Sequence, residues 1–297
     1  MLEVVQDLGI TYITIAYKVD GQLYRAPSRT VKDNLQLIVF LIMYADDITL
    51  VCGSQLEVAT ALSQVFVIFQ KWGLLVSVPK TKILVVAKTE QELPVVVLDG
   101  QQVEVVDKFT CLGSVFTSDN TLDAEISHRL SRAGGAFASL RGVLWHNRRI
   151  SLRTKCRVFS AVVLTTLLYG ADSWAIRQPQ LARLEVFQNN CLRALCGVSR
   201  LVHTPISVLL SKCGQQSISD KLRGIRLSWL GHLGRLSDDR LPKCMVFGRV
   251  EGAKGVGKPR AMWADLLQQD LKSRGINRWF KQCQKRADWR SMCKTDC

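Results

Sequence analysis

Long apolar runs are missing from this 297-residue chain. The longest, around residues 159–170, is shorter than the roughly 20 apolar residues that a membrane-spanning helix needs, and polar residues interrupt it. The first residues also do not have the pattern of a signal peptide. We therefore expect an intracellular protein, nuclear or cytoplasmic, that has no membrane partner.

A disulfide framework is not indicated either, although the chain has ten cysteines. Residues such as Cys156 and Cys191 fall inside helical patterns and do not frame loops. Without a secretion signal, the compartment is a reducing one, and thiols in such patterns behave as small apolar side chains. We expect reduced cysteines.

One group of residues has a spacing that suggests zinc. Cys191, Cys196, His203 and Cys213 form a C-x4-C-x6-H-x9-C series. The first two lie in an amphipathic helical pattern that begins near residue 184, and a separation of five residues points two helical side chains in different directions. This argues for reduced thiols over a zinc site.

Acidic residues are scarce after residue 110. Residues 1–110 contain 9 Lys and Arg against 12 Asp and Glu, a net charge of −3, whereas residues 111–297 contain 31 against 13, a net charge of +18. Single cations commonly do no more than solvate a helix. A surplus of this size in one half of a chain indicates a polyanionic partner, and nucleic acid is the partner that we expect.

Two adjacent carboxylates, Asp46 and Asp47, stand between two short apolar runs, residues 37–43 and 48–52. The first run has the composition of a buried β-strand and the second that of a short strand. Acidic residues are rare in strand interiors, so the pattern predicts a β-hairpin with both carboxylates at its turn. Two carboxylates side by side repel each other unless a cation lies between them. Mg²⁺ suits this position because proteins bind it through one or two carboxylates together with substrate phosphates. The alternative is an ordinary solvated turn, in which Asp is common.

The rest of the chain divides into a mixed part and a helical part. A helix is predicted over 55–72, stopped by Gly73, then strands over 74–78 and 83–87, and a hairpin around Asp99-Gly100. After residue 113 the pattern becomes helical, with Thr121 and Ser151 as candidate caps of helices over 122–144 and 152–169. The predicted fold class is α+β, with regions 1–120, 121–200 and 201–297.

Several motifs, in this order, resemble the reverse transcriptases of non-LTR (LINE-type) retrotransposons, and the resemblance covers nearly the whole chain. The Tyr-Ala-Asp-Asp hairpin at 44–47 is similar to their metal-binding palm hairpin. The segments at 72–82 and 109–114 are similar to the following palm motif and to the primer-grip hairpin, although Cys111 stands where an aromatic residue is usual. Segments 168–174, 229–232 and 257–260 resemble the helical C-terminal region of the same elements. The resemblance implies a partial polymerase palm, an antiparallel sheet with a helix, followed by an all-α thumb and a helical C-terminal region.

The resemblance also implies site residues. Asp46 and Asp47 are expected to be catalytic and to hold Mg²⁺ in a two-metal site. Tyr44 and one of the two lysines Lys80 and Lys82 are expected near the incoming deoxynucleoside triphosphate; the alternative for each lysine is a solvated turn. Contacts with the RNA template and DNA primer are expected from Leu112, Gly113, Ser114, Arg129, Arg132, Arg141, Arg148 and Arg149. Arg223, Arg226 and Arg235, which flank Trp229 and His232, form a further basic and aromatic mixture of the kind that binds nucleic acid.

One expected feature is not present upstream of the hairpin. The family has a further metal-binding Asp and a glycine-containing template segment there, but the acidic residues upstream are Glu3, Asp7, Asp20 and Asp33. Asp20 stands in a predicted turn, and only 25 residues lie between it and Asp46. This interval is too short for a strand, a helix and a returning strand.

The sequence thus indicates a fragment of an RNA-directed DNA polymerase that is inactive alone, because its two-metal site is incomplete. The missing N-terminal part of the polymerase would then be a partner. Two alternatives remain: a non-catalytic nucleic-acid-binding remnant, and an interaction protein used by a host cell.

Overall fold

A computed structural model describes residues 13–17, 35–39, 41–86, 95–199, 201–250 and 263–293. The fold mixes helices and strands, a large helical part with several small sheets, and this composition is compatible with the predicted α+β class. The predicted turn at Asp20 lies outside the described residues. The chain forms two compact units, which are described separately. Unit 1 comprises residues 1–111, 116–120 and 237–257, and unit 2 comprises residues 112–115, 121–236 and 258–297.

Unit 1 contains a three-stranded antiparallel sheet in the order β11-β1-β2. These strands are β1 (Ile13–Tyr17), β2 (Leu35–Val39) and β11 (Gly248–Val250). Residue Ile15 is opposite Leu37 on one side and Val250 on the other. The predicted carboxylate hairpin is a separate two-stranded sheet, formed by β3 (Leu41–Tyr44) and β4 (Asp47–Leu50).

The helix predicted over 55–72 is α1 (Gln55–Lys71). The side chain of Ser54 caps its first turn by accepting a hydrogen bond from the Glu57 amide, and the helix ends before Gly73, as predicted. Its apolar face packs on a small core that also contains strand and turn residues. The buried members of this core are Val78, Ile83, Val96, Leu98 and Val103, and Val58, Leu62 and Phe66 of α1 pack against them.

The hairpin predicted at Asp99-Gly100 is confirmed. Strands β6 (Val97–Leu98) and β7 (Gln101–Gln102) pair antiparallel around it. The two strands predicted around residue 79 are largely wrong. Residues 74–77 have no regular structure, Val78–Lys80 is a 3₁₀ turn, and only β5 (Lys82–Ile83) is extended, paired in parallel with β8 (Glu104–Val105). Pro79 explains the turn, because its fixed φ and missing N–H suit the start of a helical turn and interrupt a strand.

The hairpin that the resemblance implies at 109–114 consists of β9 (Lys108–Cys111) and β10 (Ser114–Thr117), and it leads directly into helices. Helix α2 (Asp123–Ser139) and a helical segment after Ser151 lie in the predicted ranges, and the Ser151 cap is confirmed by its hydrogen bond from the Thr154 amide. The Thr121 cap is wrong: Leu122 takes the cap position, and its side chain offers no acceptor.

The helices of unit 2 are α2 (Asp123–Ser139), α3 (Leu152–Val158), α4 (Thr165–Leu167), α5 (Gln178–Cys196), α6 (Ile206–Cys213), α7 (Ile218–Arg235), α9 (Trp263–Ser273), α10 (Trp279–Gln282) and α11 (Arg286–Cys293), with π-helical turns at Arg141–Trp145 and Phe159–Leu164. Helix α8 (Leu241–Phe247) belongs to unit 1.

The core of unit 2 extends through its first six helices. The fully buried side chains include Phe159, Leu167, Leu184 and Leu192, which pack together with Ile126 of α2. No helix among the described residues combines the length and the apolar character that crossing a membrane requires.

Helix α7 lies against α9, α10 and α11, and its arginines form ion pairs and hydrogen bonds with other groups of unit 2. Arg226 is buried and donates two hydrogen bonds to Asp270, at 2.7 and 3.1 Å. Arg223 pairs with Asp220 at 2.9 Å, and Arg235 donates to the carbonyl of Cys283 at 2.8 Å. The expectation that Arg226 contacts nucleic acid is therefore corrected, because its guanidinium is buried against Asp270. Arg223 and Arg235 are partly exposed, and for these two residues the contact stays a prediction.

Close packing on α7 also depends on Gly231. A Cβ atom at this position would lie 2.0 Å from Nε1 of Trp289, whose indole N–H donates to the Leu227 carbonyl. The rigid indole ring is buried and cannot move aside at low cost. The Trp-Leu-Gly-His segment therefore has a packing role, through its glycine, that its basic and aromatic neighbours do not suggest.

We expect Gly231→Ala to destabilise the protein by about 3 kcal/mol, because overpacking at a rigid contact forces the two helices apart. Gly135→Ala is the matched control: this exposed glycine of α2 has no atom within 4 Å of its would-be Cβ, and alanine there should gain about 0.5–1 kcal/mol. Urea unfolding of both variants measures the difference. Equal stability of the two variants would show that α11 does not pack on Gly231.

Candidate functional site

The carboxylate hairpin has a two-residue turn made of Ala45 and Asp46. Ala45 adopts a left-handed conformation, with φ of 52°, and Tyr44 is opposite Asp47, the first residue of β4. Both carboxylates are therefore at the tip, as predicted, and both are exposed. Strand β3, which was expected to be buried, is not: Tyr44 is 65% exposed. No other described strand pairs with this hairpin.

The donor set at this tip suits Mg²⁺ in part. Asp46 and Asp47 provide hard oxygen ligands on neighbouring residues, and magnesium sites in proteins commonly use only one or two carboxylates, with phosphate oxygens and water completing the octahedron. Within the described parts of the chain, no group of three or more His, Cys, Asp or Glu side chains has the arrangement of a metal site. At this tip, phosphate oxygens and water would complete the coordination of an ion held by the two carboxylates.

The two hairpins meet within unit 1. Thr49 of β4 and Cys111 of β9 are 62 residues apart in sequence, and their side-chain oxygen and sulfur atoms are 3.9 Å apart. Cys111, which replaces the aromatic residue usual in the resembling family, is half-buried at this contact. The carboxylate hairpin and the strand leading to the 112–115 turn therefore lie side by side.

The turn at residues 112–115, which we call the hairpin tip, is held by side chains of unit 2. Leu112 and Gly113 have φ of 47° and 80°, so the second position suits glycine, which adopts this conformation without strain. The Tyr169 hydroxyl donates to the Leu112 carbonyl at 3.1 Å, and Arg129 donates to the Gly113 carbonyl. The Val115 amide donates to Glu125 at 2.7 Å. Three backbone groups of the tip thus have fixed partners.

Arg129 connects these contacts. It is 5% exposed, its Nε donates to Glu125 at 2.6 Å, and its guanidinium lies 4.6 Å from the centre of the Tyr169 ring. Arg129 was expected to contact nucleic acid directly. This expectation is corrected, because its guanidinium is buried and its partners are all groups of the protein. The sequence patterns did not predict a role at the hairpin tip for Glu125 or Tyr169. A Glu and an Arg four residues apart on a helix are a visible signal, but their burial is not.

The two candidate lysines are in different environments. Lys80 is exposed on the 3₁₀ turn. Lys82 is partly buried and forms an ion pair with Glu104 on the paired strand β8. The geometry favours Lys80 for contact with a triphosphate, because the ammonium of Lys82 already has an anionic partner.

Exposed arginines are concentrated around the first π-helical turn. Arg132 is exposed on α2, and Arg141, Arg148 and Arg149 are exposed beyond it. Residues 141–157 contain no Asp or Glu. Exposed cations without neighbouring acids in sequence are suited to phosphate contacts. The segment also contains the exposed Arg153 and Arg157, and the buried Lys155, which donates to the Trp145 carbonyl.

A cleft of about 910 Å³ lies between the second π-helical turn, the 168–172 loop and α7. Its wall includes Trp229 and His232, whose rings stack with centroids 5.1 Å apart. Asp172 and Asp220 also line it, with Lys221 as the cation. This mixture of signs gives the cleft no clear preference for phosphate, and sequence patterns had not indicated a cavity here.

Comparisons with protein family models, curated proteins and solved structures found no match to this chain. The resemblance to retrotransposon reverse transcriptases therefore remains an expectation from motifs.

We expect Glu125→Ala to destabilise unit 2 by about 3–5 kcal/mol, because it leaves a buried guanidinium without its counter-ion. Asp123→Ala is the control on the same helix: Asp123 pairs with Arg183 at 3.7 Å in an exposed ion pair, whose loss should cost about 0–1 kcal/mol. The measurement is urea unfolding. Glu125→Leu combined with Arg129→Met should recover much of the loss, since replacing both charges removes the unpaired one. A Glu125→Ala variant as stable as Asp123→Ala would contradict the assigned ion pair.

Proposed function

We propose that this chain supplies the metal-binding hairpin and the nucleic-acid-binding helices of an RNA-directed DNA polymerase of the retrotransposon type. The observation that carries the proposal is the contact between Thr49 and Cys111, which brings the carboxylate hairpin beside the strand that leads to the hairpin tip. A polymerase needs such a juxtaposition, because its metal ligands must lie next to the segment that holds the primer terminus.

The proposed roles follow from exposure and charge. Asp46 and Asp47 would hold Mg²⁺, which when bound stabilises the charge that develops on phosphate oxygens during phosphoryl transfer. The hairpin tip places the Gly113 backbone, which has no side chain to block close approach, against the primer strand. Arg132, Arg141, Arg148 and Arg149 neutralise phosphates of the RNA template and DNA primer, which positions the duplex without reading its sequence.

The alternative function is nucleic-acid binding without catalysis. The specific observation in its favour is that the described residues include no carboxylate cluster larger than the pair at the tip. Polymerase chemistry with these two residues needs at least one further ligand. The two functions share the arginines and differ at Asp46 and Asp47, so that separate experiments test each part.

The first experiment concerns the arginines. Replacement of Arg141, Arg148 and Arg149 by alanine should weaken binding to an RNA–DNA duplex and reduce the slope of log K against log salt by about 2–3, because each lost phosphate contact releases about one counterion fewer. Lys272, Arg286 and Arg290 are also exposed, and their replacement by alanine gives the same charge change as a control. Equal effects of the two variants would refute a specific role for the 141–149 segment.

The second experiment concerns the carboxylates. Asp46→Asn/Asp47→Asn should abolish the Mg²⁺-dependent gain in duplex affinity produced by the next complementary deoxynucleotide, and should leave binding in EDTA unchanged. Asp99→Asn/Asp107→Asn is the matched control, since both residues are exposed and Asp99 occupies a similar hairpin turn. Gel-shift titrations measure both. Duplex binding with no nucleotide effect in the unaltered chain would favour the non-catalytic alternative, and absence of duplex binding would refute both functions.

A further inference from the structure

Three thiols lie close together in unit 2, away from the proposed polymerase site. The sulfur atoms of Cys196 and Cys213 are 3.3 Å apart. Cys196 is the last residue of α5 and Cys213 is the last residue of α6. Cys156 of α3 is within hydrogen-bonding distance of Cys213. The proposed polymerase function assigns no role to this pair, and the zinc series that contains both cysteines was judged less favourable than reduced thiols.

The geometry is close to that of a disulfide. A sulfur–sulfur bond is about 2.05 Å long, so the two atoms need to approach by only about 1.2 Å. Terminal helical turns can make such a movement more easily than helix interiors, and Gly197 and Gly214 end the two helices immediately after the cysteines. Arg193 keeps the helix ends together, since it donates to the carbonyls of Val202 and Thr204 in the loop that joins them, at 3.1 and 2.8 Å.

We propose that Cys196 and Cys213 are a redox-sensitive pair that forms an intramolecular disulfide with a low-molecular-weight disulfide, such as oxidised glutathione, as the oxidant. The Cys196 thiolate attacks one sulfur of the oxidant and releases one glutathione thiolate, which takes up a proton. The sulfur of Cys213 then attacks the Cys196 sulfur of the mixed disulfide and releases the second glutathione. The two cysteines lose two electrons and two protons, and the oxidant is reduced to two thiols.

Access determines which cysteine reacts first. Cys196 is half-buried, whereas Cys156 and Cys213 are only 4% and 6% exposed. Burial raises the pKa of Cys213 well above its ordinary value, and the hydrogen bond with Cys196 raises it further. Burial also raises the pKa of Cys156, an effect that its hydrogen bond with Cys213 partly offsets. Because a thiolate is the attacking species, the second step is the slow one at neutral pH, and its rate rises with pH.

The test treats the full chain with oxidised glutathione at pH 7 and pH 8, blocks the remaining thiols, and maps tryptic peptides by mass spectrometry without reduction. We expect peptides 194–200 and 213–221 to be linked, with the linked chain about 2 Da lighter, and formation to be up to about tenfold faster at pH 8. A stable glutathione adduct on Cys196 without linkage, or a link between Cys156 and Cys213, would overturn the proposal.

Single variants separate the pair from other thiols. Cys196→Ser should abolish the linked peptides, whereas Cys52→Ser, which replaces another half-buried cysteine in unit 1, should leave the yield unchanged. Cys156→Ser should also leave the link in place. A yield that falls equally in all three variants would show that oxidation is not confined to the Cys196–Cys213 pair. The mapping of the unaltered chain decides the question even if a variant does not fold.

Discussion

The buried ion pair between Glu125 and Arg129 is the interaction on which the candidate site depends most. Removing two charges from water is costly, and the cost is met here because both groups have further partners in the protein. Glu125 accepts the Val115 amide, and Arg129 reaches the Gly113 carbonyl and the Tyr169 ring. The ion pair therefore also fixes the hairpin tip, and it keeps the left-handed turn at Leu112 and Gly113 in one conformation. Both residues of the pair lie on α2, which begins only a few residues after β10, so the pair and the hairpin tip that it holds are neighbours in sequence.

The structure shows which basic residues of the positively charged half are buried and which are exposed. A part of the positive surplus is internal: Arg226 pairs with Asp270, Lys155 is buried against the Trp145 carbonyl, and Arg129 holds the hairpin tip. Another part, around residues 141–157, is exposed. Only the exposed part can release counterions from nucleic acid. The proposed interface is thus smaller than the composition suggests, and it is concentrated near the first π-helical turn.

Local patterns in the sequence predicted local structure well. The turns at Asp46 and Asp99-Gly100, the helix that ends before Gly73 and the Ser151 cap each depend on a few adjacent residues, whose conformational preferences are strong. Contacts between distant residues could not be predicted in this way. Tyr169 lies 57 residues from Leu112, and Arg226 lies 44 residues from Asp270. Gly231 faces Trp289, and Cys196 faces Cys213, only because whole helices pack together. The exposure of the carboxylate hairpin was also missed, because an apolar strand pattern indicates burial without identifying the layer that provides it.

The most direct measurement of the functional account is photo-crosslinking of a primer terminus. A DNA primer that ends in 4-thiothymidine, annealed to an RNA template and irradiated on the full chain, reports which peptide lies at its 3′ end. The account predicts crosslinks in the tryptic peptide 109–129, which contains the hairpin tip, and in the segment that contains Asp46 and Asp47. Crosslinks confined to residues 141–157 would contradict it, because the duplex would then be bound through the arginines with its primer end away from both hairpins.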